Sequence, residues 1–387
     1  MFYLFVIILT FWGLSLIVDR FLIPNIYTLK YRQSWTDDQT GTIISFVSSA
    51  PELSVSAISL FLAATTGGNQ ASMGPGTVIG SALFSILFIV GASSWFGSKK
   101  LSWPSTIRDL LYYVFSVLLV WFVVKDSLVT LTESLFLLVS FGIYFGIVLK
   151  WKFILQFLND KVHSSFIDEE EETRKELAKE KDTEEEILIH IKDQNWTLDK
   201  NKNPFISLDH LVAKIFSFLF FRVDNKTFNY FKLIFNVLLS VGFVILFSTL
   251  MVNSAVEFSN ILGISPVVIS LTVLAVGTSV PDLLASVKTA REGYGDTAIS
   301  NAVGSNIFDI LANLGLTWFF GLVLFGFEPI PVDTSNLDSS IILLIASAST
   351  LIAVLIAKRF NLGKLISIVL MSSYVLYLVY EVLKALN

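Results

Sequence analysis

Apolar residues in this chain come in ten runs of about 20, the length an α-helix needs to cross a hydrocarbon layer of ~30 Å. They fall at 2–18, 38–64, 76–96, 106–124, 128–149, 229–252, 264–290, 297–320, 339–357 and 363–384. Five precede a long polar segment and five follow it. The pattern predicts an all-α polytopic membrane protein with ten transmembrane helices. It divides into a first five-helix unit over 1–150, an acidic loop with an interfacial helix over 151–228, and a second five-helix unit over 229–387. Within the loop, acids bunch at 168–172 and 184–186 with little to bury, which predicts a solvated linker. No EF-hand ligand pattern occurs in it. Leu208, Leu211, Val212, Ile215, Phe216 and Leu219 then recur at helical spacing. That run is too short to span, and it predicts an amphipathic helix lying in the membrane interface.

Composition strengthens this picture. Of 387 residues 54% are apolar and only 15% charged, against roughly 25% charged in soluble proteins, which excludes a soluble enzyme. The net charge of -5 arises in residues 160–210, where 15 acids face 8 bases, so no basic patch exists for nucleic acid. With no Cys, disulfides, thiolate metal sites and Cys nucleophiles drop out together. The first charges are Asp19 and Arg20, so the N-terminal run lacks the positive start of a signal peptide and reads as a retained helix. Lys and Arg in the connections set the orientation. With the N-terminus outside, Arg20, Lys30, Arg32, Lys99, Lys100, Arg108, Lys288, Arg291, Lys358, Arg359 and Lys364 all fall inside, and only Lys125 and Lys384 fall outside. Both termini are then external and the acidic loop cytoplasmic, in a multi-pass protein of a prokaryotic-type inner membrane.

Two motifs occur twice in the same order. Residues 48–56, SSAPELSVS, match 278–286, TSVPDLLAS, and 78–87, VIGSALFSIL, match 302–311, AVGSNIFDIL. Ordered repetition implies a duplicated unit. Five crossings per unit is an odd number, so the second copy enters the membrane in the opposite sense. This is the inverted-repeat plan that brings matching motifs together near the bilayer midplane.

The repeated residues carry chemistry. Glu52 follows Pro51 and Asp282 follows Pro281, and a proline inside a helix frees the carbonyl four residues back, here that of Val47 or Gly277. Ser48 and Ser49 share a helical face with Glu52, as Thr278 and Ser279 do with Asp282. In the eighth span Ser305, Asn306 and Asp309 form a further oxygen-rich face, with Ser81 and Ser85 as the counterpart in the third. A lone charge at mid-membrane costs at least ~2.5 kcal/mol, so neighbouring carboxylates there ask for cations. A ligand set of carboxylate, hydroxyl, amide and backbone oxygen suits hard cations such as Ca²⁺, not zinc or copper. A single Ser or Pro in a membrane helix is more often a hydrogen-bonder or a kink, and it is the joint, duplicated pattern that points to ions. Glu133, Asp109, Asp126, Asp37 and Asp38 lie at span ends, where charge is cheap. Residues 74–76 and 293–296 read as tight inter-helix turns.

These segments, with GTVIGSALFSIL at 76–87, GTSVPD at 277–282 and GYGDTAISNAVGSNIFDILANLGLTW at 293–318, resemble the two alpha repeats of the cation/calcium antiporter superfamily. The similarity is greatest to its potassium-dependent sodium/calcium exchangers. The resemblance implies an antiporter that uses sodium flow to expel Ca²⁺ by alternating access around one central site. It implies Glu52 and Asp282 as the carboxylates shared by Ca²⁺ and Na⁺. It also implies Ser48, Ser49, Thr278, Ser279 and Asn306 as oxygen ligands, backbone carbonyls at Ser45 and Ala275, and Asp309 as the acid associated with K⁺. Ala82 favours the potassium-dependent branch, whereas Ser85 stands where the family usually carries Asn.

The function read at this stage is Na⁺/Ca²⁺ antiport, with or without K⁺, by a protein without cofactors that works in the bilayer as a monomer. Ca²⁺/H⁺ antiport is the alternative. Gly293, Tyr294, Gly295 and Asp296 spell the GxGD of intramembrane aspartyl proteases, but no Tyr-Asp pair occurs to complete such a site, so no enzyme is expected.

Overall fold

Proline placement and close glycine contacts shape the centre of this chain, whose described residues are mostly helical. The computed structural model describes residues 2–22, 25, 48–66, 69–96, 103–151, 214, 216–221, 229–291, 295–326, 329–334, 337–360 and 362–386. Ser45, nearly all of the acidic loop and most of the expected interfacial helix lie outside these residues. Two compact units emerge, one formed by 1–144 with 221–387 and the other by 145–220. In the second, the described residues contribute short turns such as Leu219 N–H to Phe216 O.

Among the described residues, eight helices are long and apolar enough to cross a membrane: Phe2–Leu22, Gln70–Phe96, Thr106–Val124, Leu131–Leu149, Tyr230–Leu262, Ala298–Phe325, Leu337–Ala357 and Lys364–Ala385. The second and seventh expected spans differ. The second is described only from residue 48 and runs as the Ala50–Thr66 helix. The seventh is divided into Pro266–Thr278, itself helical with a π-helical turn at Ser270–Leu274, and Val280–Arg291. The break falls at Ser279, whose φ of -91° and ψ of 1° leave the helical well two residues before Pro281.

Burial separates inner from outer helices. The apolar window of Gln70–Phe96 is 94% buried and that of Ala298–Phe325 67%, against 11% for Leu131–Leu149. The inner packing depends on missing side chains. Gly74 and Gly76, expected in a turn, instead lie in the Met73–Leu83 helix. Pro75 is accepted there because first-turn N–H groups have no helical acceptor to lose. A Cβ on Gly76 would collide with Ser270 Oγ, and one on Gly80 with the Leu271 carbonyl. This four-residue glycine spacing thus lets Met73–Leu83 touch the backbone of the broken span. Phe2–Ile17 packs along Tyr230–Leu262, with Gly13 under the Phe247 ring, and its Phe11 ring covers Gly277.

Helix ends gather in two sets. At one end, Leu128 and Val129 pair antiparallel with Ile330 and Pro331. The Asp333 N–H donates to Ser72 Oγ at 2.7 Å, and Lys384 Nζ donates to Ser339 Oγ at 3.2 Å. The other set joins Arg291 to the Phe96 ring (4.1 Å) and Lys364 to the Trp95 ring (5.3 Å), and Asn236 Nδ2 donates to Asn25 Oδ1 at 3.4 Å.

Candidate cation site

Both motif carboxylates sit in the first turn of a helix that restarts after a break. Glu52 lies in the first turn of Ala50–Thr66 and Asp282 in that of Val280–Arg291. The two starts are built alike: Leu53 N–H donates to Ser49 O and Leu283 N–H to Ser279 O, each at 3.0 Å. A helix start carries unpaired N–H groups and the positive end of the dipole, which offsets part of each carboxylate's charge. The second motif pair is also matched. Ser85 lies in the π-helical Phe84–Ile89 and Asp309 opens the π-helical Asp309–Asn313, a distortion that re-aims side chains and recurs at functional sites.

The site residues are buried together. Ser49, Glu52, Ser81, Ser85, Thr278, Ser279, Asp282, Ser305, Asn306 and Asp309 are each at most 3% exposed, and Ser48 is 9% exposed. Glu52 has Asp309 and Asp282 as charged neighbours, with the Thr278 hydroxyl facing it. Asp309 in turn neighbours Asp282, Ser49 and Asn313. Ser81 Oγ lies 2.7 Å from Ser279 Oγ, joining the Met73–Leu83 helix to the break. The Ala275 carbonyl accepts from the Ser279 hydroxyl at 2.9 Å and the Thr278 hydroxyl at 3.4 Å. Ser305 turns back to the Ala302 carbonyl at 3.4 Å.

Several of these groups make no hydrogen bond within 3.5 Å to any of the described residues. Both Glu52 oxygens, Ser49 Oγ, Ser85 Oγ and Asn306 Nδ2 are buried without a hydrogen bond. A buried carboxylate with so little hydrogen bonding is costly unless a cation or a proton neutralises it. Among the described residues, no three of His, Cys, Asp and Glu come close enough to chelate an ion unaided. The carboxylates are electrostatic neighbours with hydroxyl and amide groups around them, so any ion here draws on those oxygens as well.

Sequence reasoning missed four polar groups at this centre. Ser56 and Ser286 close the repeated motif, one turn beyond each carboxylate, and each is buried without a hydrogen bond. Asn313 and Thr317 continue the row of every fourth residue from Ser305 and Asp309, a spacing visible in the sequence.

Asp109 departs from its expected place at a cheap span end. It is 2% exposed and accepts from Arg108 Nε (2.8 Å), Tyr144 Oη (3.1 Å) and Ser300 Oγ (3.2 Å). Its charge is tolerated because three donors meet it, and it ties Trp103–Val124 and Leu131–Leu149 to Gly295–Phe308. Glu133 is a helix cap: its carboxylate accepts from the Thr130 N–H and hydroxyl at 2.8 and 2.7 Å, while its N–H donates to Thr130 Oγ1 at 3.4 Å.

The family profile described as "Sodium/calcium exchanger protein" matches residues 2–150 and 232–383, leaving out the acidic loop. The chain belongs to the sodium/calcium exchanger protein family. Human "Sodium/potassium/calcium exchanger 2" is 24% identical over an alignment covering 96% of this chain and 76% of the relative. Human "Sodium/potassium/calcium exchanger 1" is 36% identical over 39% of this chain and 14% of that relative. Among solved structures, the H⁺/Ca²⁺ exchanger CAX matches with a TM-score of 0.57 at 10% identity, covering 98% of this chain and 85% of its own. The sodium-calcium exchanger NCX_Mj matches at 0.51 and 17% identity, covering 97% of this chain and 95% of its own. The fold is therefore shared with both, and the resemblance first read from the motifs holds at the level of the family.

Proposed function

We propose that this family member is a secondary active antiporter exchanging Na⁺ for Ca²⁺, with or without K⁺, by alternating access around one site at the bilayer midplane. The observation that carries the reading is Glu52. It is fully buried, neither oxygen makes a hydrogen bond within 3.5 Å among the described residues, and its charged neighbours are Asp282 and Asp309 from the two motif segments of the second half. Such a carboxylate group is stable when a hard cation sits among it, and Ser49, Thr278, Ser279, Asn306 and Ser85 supply neutral oxygens. Ser48, Ser81, Ser305 and the carbonyls of Ala275 and Ser45 complete the proposed ligand set, with Asp309 as the acid for a monovalent ion. Occupied sites exchange between outward and inward openings, whereas the empty site with three acids resists occlusion, and this couples the fluxes.

Ten crossings arranged as two inverted five-helix repeats, 1–150 and 229–387, fit this role. The matched breaks at Ser49 and Ser279 support the duplication. The two sets of helix ends support the parity: the connections after the second, fourth and eighth crossings meet the C-terminal end of the tenth. Those after the third, seventh and ninth meet at Trp95 and Phe96. With basic residues facing inward, both termini are outside and the 151–228 loop is cytoplasmic. All proposed ligands come from one chain, so a monomer suffices.

The test is ⁴⁵Ca²⁺ uptake into vesicles holding the purified protein. Uptake driven by an outward Na⁺ gradient, and absent in Glu52→Gln, is the expected result. Uptake that follows an imposed pH gradient and ignores Na⁺ would move the assignment to Ca²⁺/H⁺ exchange, and wild-type uptake by Glu52→Gln would remove the site.

A further inference from the structure

Beyond Asp309 the buried polar row continues to a side chain that the repeated motifs do not contain. Asn313 is 0% exposed, yet among the described residues its amide makes two hydrogen bonds, both at the long limit. Its Nδ2 donates to Asp309 Oδ1 at 3.5 Å, and its Oδ1 accepts from Thr317 Oγ1 at 3.5 Å. An amide offers two N–H donors and an oxygen with two lone pairs, so much of this group's capacity is unused in a place where unused capacity is costly. Around it, Ala50–Thr66 packs on Asp309–Asn313 and Leu314–Phe325, and Ser56 of that helix carries another buried, unpartnered hydroxyl.

We propose that Asn313 is a specificity-determining ligand for a monovalent cation at Asp309, with Thr317 as the residue that lets its amide turn; this rests on the proposed role of Asp309. In the orientation described, an N–H points at the carboxylate, which suits an Asp309 holding no ion. A cation at Asp309 repels that N–H. Turning the amide by half a rotation puts Oδ1 on the ion and Nδ2 toward Thr317. The Thr317 hydroxyl serves both states, because it donates to Oδ1 in one and accepts from Nδ2 in the other. A neutral amide oxygen adds field without charge, which favours a monovalent ion beside one carboxylate over a second divalent ion.

The experiment measures half-saturating K⁺, Na⁺ and Ca²⁺ for the full-length protein, both from thermal stabilisation in detergent and from vesicle exchange. Asn313→Leu should raise the half-saturating concentration of the monovalent ion about tenfold and shift Ca²⁺ less than about threefold, as loss of one ligand predicts. Thr317→Val should move the same value in the same direction by a smaller factor, and Thr317→Ser should restore it. Unchanged monovalent saturation in Asn313→Leu, or equal shifts for both ions, overturns the inference. Should Asn313→Leu fail to fold, Asn313→Gln and the Thr317 pair carry the same readout. Asp309→Asn separates the two levels. If it leaves the monovalent response intact, the reading of Asp309 has failed. If it abolishes the response while Asn313→Leu does not, only the role of Asn313 has failed.

Discussion

The hydroxyls of Ser81 and Ser279, 198 residues apart in sequence, lie 2.7 Å from one another at the centre of the protein. Because the Ser279 proton is given to the Ala275 carbonyl, Ser81 must be the donor between them. The bond holds the broken span against the Met73–Leu83 helix at the level of the carboxylates. Removing either hydroxyl should cost about 1 kcal/mol of stability, and a double-mutant cycle of Ser81→Ala and Ser279→Ala should give a coupling of at least ~0.5 kcal/mol. Additive losses in thermal unfolding would show that the two do not act together.

The three acids should separate by role. Glu52→Gln and Asp282→Asn are expected to reduce Na⁺-driven Ca²⁺ uptake to background. Asp309→Asn is expected to keep Ca²⁺ exchange and lose its dependence on a monovalent ion. Flux assays in vesicles with and without K⁺ check all three, and equal loss in every variant would mean one undivided site.

Pro281 keeps the 266–291 segment interrupted beside Ser279. Alanine there restores an N–H that can reach the Gly277 carbonyl and favours a continuous helix. The expected outcome is raised thermal stability with Ca²⁺ exchange lowered about tenfold, since Asp282 would leave a helix start. A variant that transports normally would show that the break is dispensable.

At Gly80 there is no room for a side chain, because the Leu271 backbone occupies the place of a Cβ. Gly80→Val should destabilise the protein by roughly 1–3 kcal/mol or prevent folding, as overpacking does, whereas Gly142→Val, facing open space, should be tolerated. Comparing the yields of monodisperse protein tests the pair.

Asp109 should behave as a structural anchor. Asp109→Ala removes the acceptor shared by Arg108, Tyr144 and Ser300 and should lower stability by about 1–3 kcal/mol. Ion affinities in the surviving protein should stay within twofold of wild type, and a large affinity change would place Asp109 nearer the transport path than its contacts indicate.

Much of this was legible in the sequence because the membrane imposes a length rule and duplication repeats a chemical signature. Glu52, Asp282 and Asp309 are visible as rare acids in apolar runs, and their neighbours follow from helical spacing. The glycines at 74 and 76 misled, because the composition of a turn and that of a close helix contact are the same until the partner backbone is seen. Asp109 misled because position in a span says nothing of the donors that fold back from Tyr144 and Ser300. Asn313 was passed over because it has no counterpart in the first repeat, where Ile89 occupies the matching position.

The deep enclosure of Gln70–Phe96 and Ala298–Phe325 has a consequence for how these residues respond to change. Along Gln70–Phe96 and the buried part of Ala298–Phe325 the surroundings are other protein, not hydrocarbon tails, whereas Phe320, Val323 and Leu324 are exposed. Insertion scales calibrated on lipid-facing helices should therefore misjudge substitutions here, and rules drawn from the interiors of water-soluble proteins should serve better. Lipid composition should act on the outer helices, at Leu131–Leu149 above all, and reach the proposed ion ligands only through helix packing.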